Sequence, residues 1–159
     1  MAKKDMLDCD QILEKFSSTV YKVALSQVKN KEDANDIFQE VFLRLVRYQK
    51  EFESDEHIKA WLIRVTINCC KDFFKNRYNS NKQELVVDIP FEDPKHHEVF
   101  YHVQELEEKY KIIIHLFYYE QYSISDIAKI LDMNESTVKT RLSRGRDRLK
   151  VRLECERDA

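Results

Sequence analysis

Glycine is almost absent from this sequence, and the shortage excludes several functions at once. Gly145 is the only glycine among 159 residues, where average usage of about 7% would supply roughly eleven. A dinucleotide-binding fingerprint needs three glycines and a P-loop needs two at fixed spacing. Neither can be built here. No Asn-Gly or Asp-Gly pair offers a two-residue hairpin turn. Long apolar runs are missing too. The longest, residues 112–119, contains His115 and falls far below the roughly 18 residues of a membrane span. The N-terminal lysines are followed by no apolar run, so no secretory signal is expected. Cys9, Cys69, Cys70 and Cys155 form no C-x-x-C pair, which favours reduced thiols over a disulfide framework. His96, His97, His102 and His115 lack partners at metal-ligand spacing. No nucleophile, base and orienter stand together. The expectations are a cytoplasmic protein that is not an enzyme, with no cofactor, metal or small-molecule substrate. An excess of one charge is also lacking: 27 basic residues face 29 acidic ones, for a net −2. Taken whole, that balance argues against a non-specific nucleic-acid binder.

What is present is helical patterning. Hydrophobic residues make up 43% and charged ones 35%, proportions of a folded, soluble chain. Both prolines, Pro90 and Pro94, fall in a stretch of weak periodicity. Glu84, Asp88, Glu92 and Asp93 there outnumber Lys82 and Lys95, so residues 79–95 read as a flexible acidic linker. About sixteen extended residues can span roughly 50 Å. The fold class expected is all-α: a three-helix bundle over 1–78, the linker, and a helix-turn-helix domain over 96–159. In the first half, Ile12, Leu13, Phe16, Val20, Val23 and Ala24 mark one helix, with Asp10 as a candidate cap. Asn30 would cap a second, with Glu32 and Asp33 in its first turn. Its apolar stripe is Ala34, Ile37, Phe38, Val41, Phe42 and Leu45. A third runs through Ile58, Trp61, Leu62, Val65, Cys69 and Phe73. Such stripes can be buried only against each other. In the second half, Val99, Val103 and Leu106 precede an apolar helix over 110–119. A short helix from Ser123, a break at Asp132-Met133-Asn134 and a longer helix through Val138, Leu142 and Leu149 then read as helix-turn-helix.

Charge is distributed unevenly. Between Ser136 and Arg152, Lys139, Arg141, Arg144, Arg146, Arg148, Lys150 and Arg152 face Asp147 alone, for a net +6. A basic second helix is the electrostatic footprint of duplex DNA binding. With Val138, Leu142 and Leu149 inward, Ser136, Lys139, Thr140, Ser143 and Arg144 turn outward. Such side chains reach phosphates and guanine edges. A solvated basic face is the plainer alternative. On the second helix, Glu32, Asp33, Asp36, Gln39 and Glu40 flank the stripe and suit a basic protein partner as well as water. The third helix sets Arg64, Asn68, Lys71, Lys75 and Arg77 beside Trp61, which fits either a single-strand track or an ordinary core aromatic. Gly145 falls on the inward stripe of the last helix. Alanine there is expected to be tolerated or stabilising, and leucine damaging.

Three runs, in order, resemble bacterial sigma factors. Asp33-Ala34-Asn35-Asp36-Ile37-Phe38-Gln39-Glu40-Val41-Phe42 resembles their core-polymerase-binding helix. Ala60-Trp61-Leu62-Ile63-Arg64-Val65-Thr66-Ile67-Asn68, followed by Asp72, resembles their promoter-melting and minus-ten helix. Ser123 to Leu131 and Ser136 to Arg146 resemble their minus-35 helix-turn-helix. With little but a linker between them, the chain resembles the extracytoplasmic-function (ECF) group of the sigma-70 family. The resemblance implies a transcription initiation factor that binds core RNA polymerase, at its clamp coiled coil and flap, and melts promoter DNA. Asp36, Gln39 and Glu40 would face the clamp. Arg64 and Asn68 would hold the minus-ten element, with residues 49–56 supplying a pocket for a flipped base. Lys139, Thr140, Ser143 and Arg144 would enter the minus-35 major groove, with Arg146 on phosphate. The linker would thread the polymerase's active-site and RNA-exit region. An anti-sigma factor, often membrane-anchored in this group, would hold the chain inactive. A helix-turn-helix regulator without a sigma role, or a helical interaction protein without DNA contact, are the alternatives. Three positions depart from the family pattern. Glu107 follows Leu106 in place of proline, Gln121 and Tyr122 precede Ser123 in place of glycine, and Asp132 follows Leu131 in place of glycine.

Overall fold

In the computed structural model, residues 8–28, 30–48, 50–80 and 94–158 are described, and every regular element among them is a helix. The chain divides into two units, Met1–Val87 and Asp88–Ala159. Residues 81–93, most of the expected linker, lie outside the described residues.

Three helices build the first unit: α1 (Cys9–Val28), α2 (Lys31–Arg47) and α3 (Asp55–Ser80). The cap of α1 is Asp8, not the expected Asp10. The Gln11 N–H donates to Asp8 Oδ1 at 2.8 Å, and the Asp8 N–H donates to Gln11 Oε1 at 2.9 Å. This reciprocal pair satisfies two donors that the first turn leaves without helical partners. Asn30 caps α2 as expected, its side chain accepting from the Asp33 N–H at 2.9 Å. Ser54 caps α3, accepting from the His57 N–H at 3.1 Å. Val20, Val23 and Ala24 of α1, Ala34, Ile37, Val41 and Leu45 of α2, and Ile58, Leu62 and Ile63 of α3 form the core. Each large apolar side chain so buried contributes roughly 1.5–3 kcal/mol relative to exposure. The stripe of α3 differs from the expected one. Ile63, Thr66, Ile67 and Cys70 are buried, whereas Trp61, Val65 and Phe73 are only half-buried. Two neighbours, α1 and α2, share this helix, so its buried arc is wider than one stripe and turns away from Trp61.

The second unit contains α4 (Pro94–Gln104), α5 (Glu108–Ile114), α6 (Ile124–Leu131) and α7 (Glu135–Asp158). Phe100, Val103 and Leu106 are buried, whereas the expected core residue Val99 is exposed. The apolar run after α5 does not remain α-helical. Residues His115–Tyr119 form a π-helical turn, in which the Glu120 N–H reaches the His115 carbonyl at 3.1 Å. Gln121 follows with φ 61°. Ser123 caps α6, accepting from the Asp126 N–H at 3.1 Å. Asp132 ends α6 in the left-handed region, with φ 56° and ψ 55°. Its N–H donates to the Lys129 carbonyl at 3.3 Å, and the Met133 N–H donates to the Ala128 carbonyl at 2.9 Å. That pair of bonds is a Schellman stop, normally built on glycine. Val138, Leu142 and Gly145 then turn inward from α7, whereas Leu149, expected on the same stripe, is only half-buried.

Candidate functional site

The basic helix α7 presents two faces. Val138 and Leu142 are buried, and Ser136, Lys139, Thr140, Ser143 and Arg144 are exposed. A helical period puts Ser136, Lys139, Thr140 and Ser143 on one side, so the short tight turn to α6 leaves that side open. The basic residues are not equivalent. Arg148 donates to Glu107 Oε1 at 3.0 Å, with its guanidinium 5.1 Å from the Tyr110 ring. Glu107, where the family pattern has proline, therefore ties α5 to α7. Arg146 donates through Nε to the Tyr118 hydroxyl and lies 5.4 Å from the Phe117 ring. Tyr118 and Phe117 are not identified from sequence, because an apolar run interrupted only at His115 carries little phase.

On α2, Asp36 and Gln39 lie on the exposed face, and Glu40 lies on its flank, half-buried. Leu43 and Val46 continue the exposed face and are 49% and 65% exposed. Sequence reasoning passed over both, although their position off the Ala34–Leu45 stripe was the available signal. Between α2 and α3 runs a groove lined by Asp36, Glu40, Arg44, Cys69, Asp72 and Lys75. Arg44 spans it, donating to Glu40 Oε2 at 3.1 Å and to Asp72 Oδ2 at 3.4 Å. Burial pushes the Cys69 thiol up to about 11; the Arg44 guanidinium opposes this, and the Glu40 and Asp72 carboxylates reinforce it. The thiol therefore stays protonated at neutral pH and is a poor nucleophile.

Arg64 and Asn68 are exposed one turn apart on α3, and Lys71 and Lys75 continue the row. At the start of that row Trp61 meets an aromatic cluster. Tyr48 stacks on Phe52 at 4.9 Å, Trp61 lies 4.6 Å from Tyr48, and His57 lies edge-on to Phe52 at 5.2 Å. The His57 Nδ1 accepts from the Glu53 N–H at 3.0 Å, which pins the connection to the helix. Gln49, the first residue of the expected base pocket, lies outside the described residues. No group of three metal-ligating side chains occurs among the described residues. No helix among them is long and apolar enough to cross a membrane.

Comparison with known proteins agrees with this arrangement. Residues 12–79 match the family Sigma-70 region 2, and residues 103–149 match Sigma-70, region 4. RNA polymerase sigma factor SigV of Bacillus subtilis (strain 168) is 30% identical over 148 residues, covering 86% of this chain and 85% of the relative. ECF RNA polymerase sigma factor SigM of the same organism is 26% identical, covering 89% and 93%. The fold is shared with the sigma factor RpoE from Bartonella quintana, solved with the anti-sigma factor NepR. The TM-score is 0.78 at 23% identity, over 91% of this chain and 96% of that one. It is also shared with CnrH, solved with the cytosolic domain of CnrY, at a TM-score of 0.70 and 20% identity, over 92% and 88%. The half that precedes the helix-turn-helix matches Sigma-70 region 2 over residues 12–79, so a helix-turn-helix regulator without a sigma role is not favoured. The chain belongs to the ECF group of the sigma-70 family, and it is a transcription initiation factor rather than an enzyme.

Proposed function

We propose that the two units divide the work of initiation, with residues 1–78 on polymerase and the minus-ten element and 96–159 on the minus-35 element. The acidic segment 79–95 tethers them and threads the RNA-exit path. Asp36, Gln39 and Glu40 dock on the clamp coiled coil, and Leu43 and Val46 extend that contact with apolar area. The flap takes the second unit. Arg64 and Asn68 hold the non-template strand of the minus-ten element. The Tyr48, Phe52 and Trp61 rings offer stacking surface to a base flipped from it, which offsets the few kcal/mol of extrusion. Lys139, Thr140, Ser143 and Arg144 enter the minus-35 major groove, and Arg146 contacts phosphate.

The observation that carries this reading is the split of α7 into an inward apolar face and an outward face of Ser136, Lys139, Thr140 and Ser143. An anti-sigma factor, cytoplasmic or membrane-anchored, is the regulating partner. The support is that a sigma factor sharing this fold, RpoE, was solved with an anti-sigma factor. The factor acts in the cytoplasm, where polymerase and promoter are. Replacing Lys139→Ala together with Arg144→Ala tests the DNA assignment. Transcription from a promoter with a wild-type minus-35 element should fall to the level seen with that element scrambled, while core-polymerase binding stays intact. A double variant that still prefers the wild-type element would show that α7 does not read it.

A further inference from the structure

Two arginines flank the outward side of α7, and the fold holds them in different ways. Arg148 is paired with the Glu107 carboxylate at 3.0 Å. A carboxylate orients a guanidinium and also neutralises it, so Arg148 serves the fold. Arg146 has neutral partners. Its Nε donates to the Tyr118 hydroxyl, and its guanidinium carbon lies 5.4 Å from the Phe117 ring and 5.5 Å from the Tyr118 ring. Aromatic faces fix the direction of the fork and leave its positive charge intact. The engaged nitrogen is Nε, so the terminal pair keeps four N–H donors, enough for a bidentate phosphate contact. Both rings come from the π-helical turn His115–Tyr119. Such turns recur at functional sites because the extra residue re-aims side chains. Tyr118 is 49% exposed, which is poor use of a large ring if its role were only to fill the core.

We propose that Tyr118 is a positioning residue for DNA binding. With Phe117 it holds the Arg146 guanidinium, fully charged, for one phosphate of the minus-35 duplex. Its hydroxyl acts through Arg146 alone, accepting from Nε and so fixing the direction of the fork. This rests on the assignment of α7 to the minus-35 element.

The test is equilibrium binding of the holoenzyme, assembled from the full chain and purified core polymerase, to a labelled promoter fragment across a salt series. Arg146→Gln should weaken binding and reduce the slope of log K against log salt by about 1. Tyr118→Phe, which keeps the ring, should weaken binding roughly 3- to 10-fold and make the slope shallower. The loss should be equal on wild-type and scrambled minus-35 fragments, because phosphate carries no sequence information. In an Arg146→Gln background, Tyr118→Phe should have no further effect. A purely structural tyrosine would move neither the slope nor this coupling. Unchanged affinity and slope for Tyr118→Phe, or full additivity with Arg146→Gln, would overturn the proposal. Lys139→Ala with Arg144→Ala in the same series separates the two levels. Lost minus-35 preference there with an unmoved Tyr118→Phe slope overturns only the aromatic hold. Retained preference there overturns the assignment of α7 itself.

Discussion

Gly145 lies where α7 crosses α5. A β-carbon added there would meet Ile114 Cδ1 and Cγ1 at 3.2 Å and Tyr110 Cβ at 3.3 Å. Alanine gains up to about 1 kcal/mol of helix propensity over glycine. The short contacts set against that gain, since Ile114 must shift by a few tenths of an ångström. Gly145→Ala is therefore expected within about 1 kcal/mol of the parent by thermal unfolding. Gly145→Leu overpacks the crossing and should cost about 1–3 kcal/mol or more. The glycine that the sequence does have is thus used for packing. The turns that would use glycine elsewhere are left to Gln121 and Asp132, at φ 61° and 56°. Asp132 tolerates this better than most residues, and glutamine has no such local advantage. Both side chains are exposed, so glycine at either position loses no packing. Gln121→Gly should stabilise the chain by about 1 kcal/mol and Asp132→Gly by somewhat less, read as rises in denaturation midpoint. A fall at either position would mean that its side chain makes a contact outweighing the strain.

At the scale of elements, what was legible depended on phase. The α2 stripe was clear at Ala34, Ile37, Val41 and Leu45 because charged residues break it every turn, and Asn30 stands at the cap position; Phe38 and Phe42, expected on the same stripe, lie at its edge and are half-buried. The helix-turn-helix was clear because Ser123 and the Asp132-Met133-Asn134 break bound α6 on both sides. In α3 the expected stripe was turned from the observed one. Isoleucines and cysteines surround most of that helix, and only its packing against both neighbours selects Ile63, Ile67 and Cys70 over Trp61 and Phe73. The π-helical turn was invisible, since His115–Tyr119 continues an apolar run in which an extra residue leaves no mark. The exposed row on α2 carries its own prediction. Leu43 and Val46 touch solvent in the free chain, so changing them should leave folding unaltered. Leu43→Asp with Val46→Asp should weaken core-polymerase binding about tenfold or more, through lost apolar area and through two carboxylates desolvated in the contact. Unchanged binding by titration of labelled core would remove both residues from the docking face.

For the whole molecule, a net charge of −2 conceals opposed local fields. The acids of α2, the acidic segment 79–95 and the basic α7 nearly cancel in the sum, yet each suits a different partner. A chain so balanced should bind duplex DNA poorly when free, since long-range attraction follows the whole charge and groove contacts follow the local one. Polymerase would then supply the affinity and α7 the choice of site. The most direct measurement is single-round transcription by purified core polymerase on a linear promoter fragment with and without the added chain. The expected result is one start-specific transcript that requires the chain and falls when the minus-35 or minus-ten element is scrambled. No transcript, or one insensitive to both elements although the chain binds core polymerase, would contradict the division of labour.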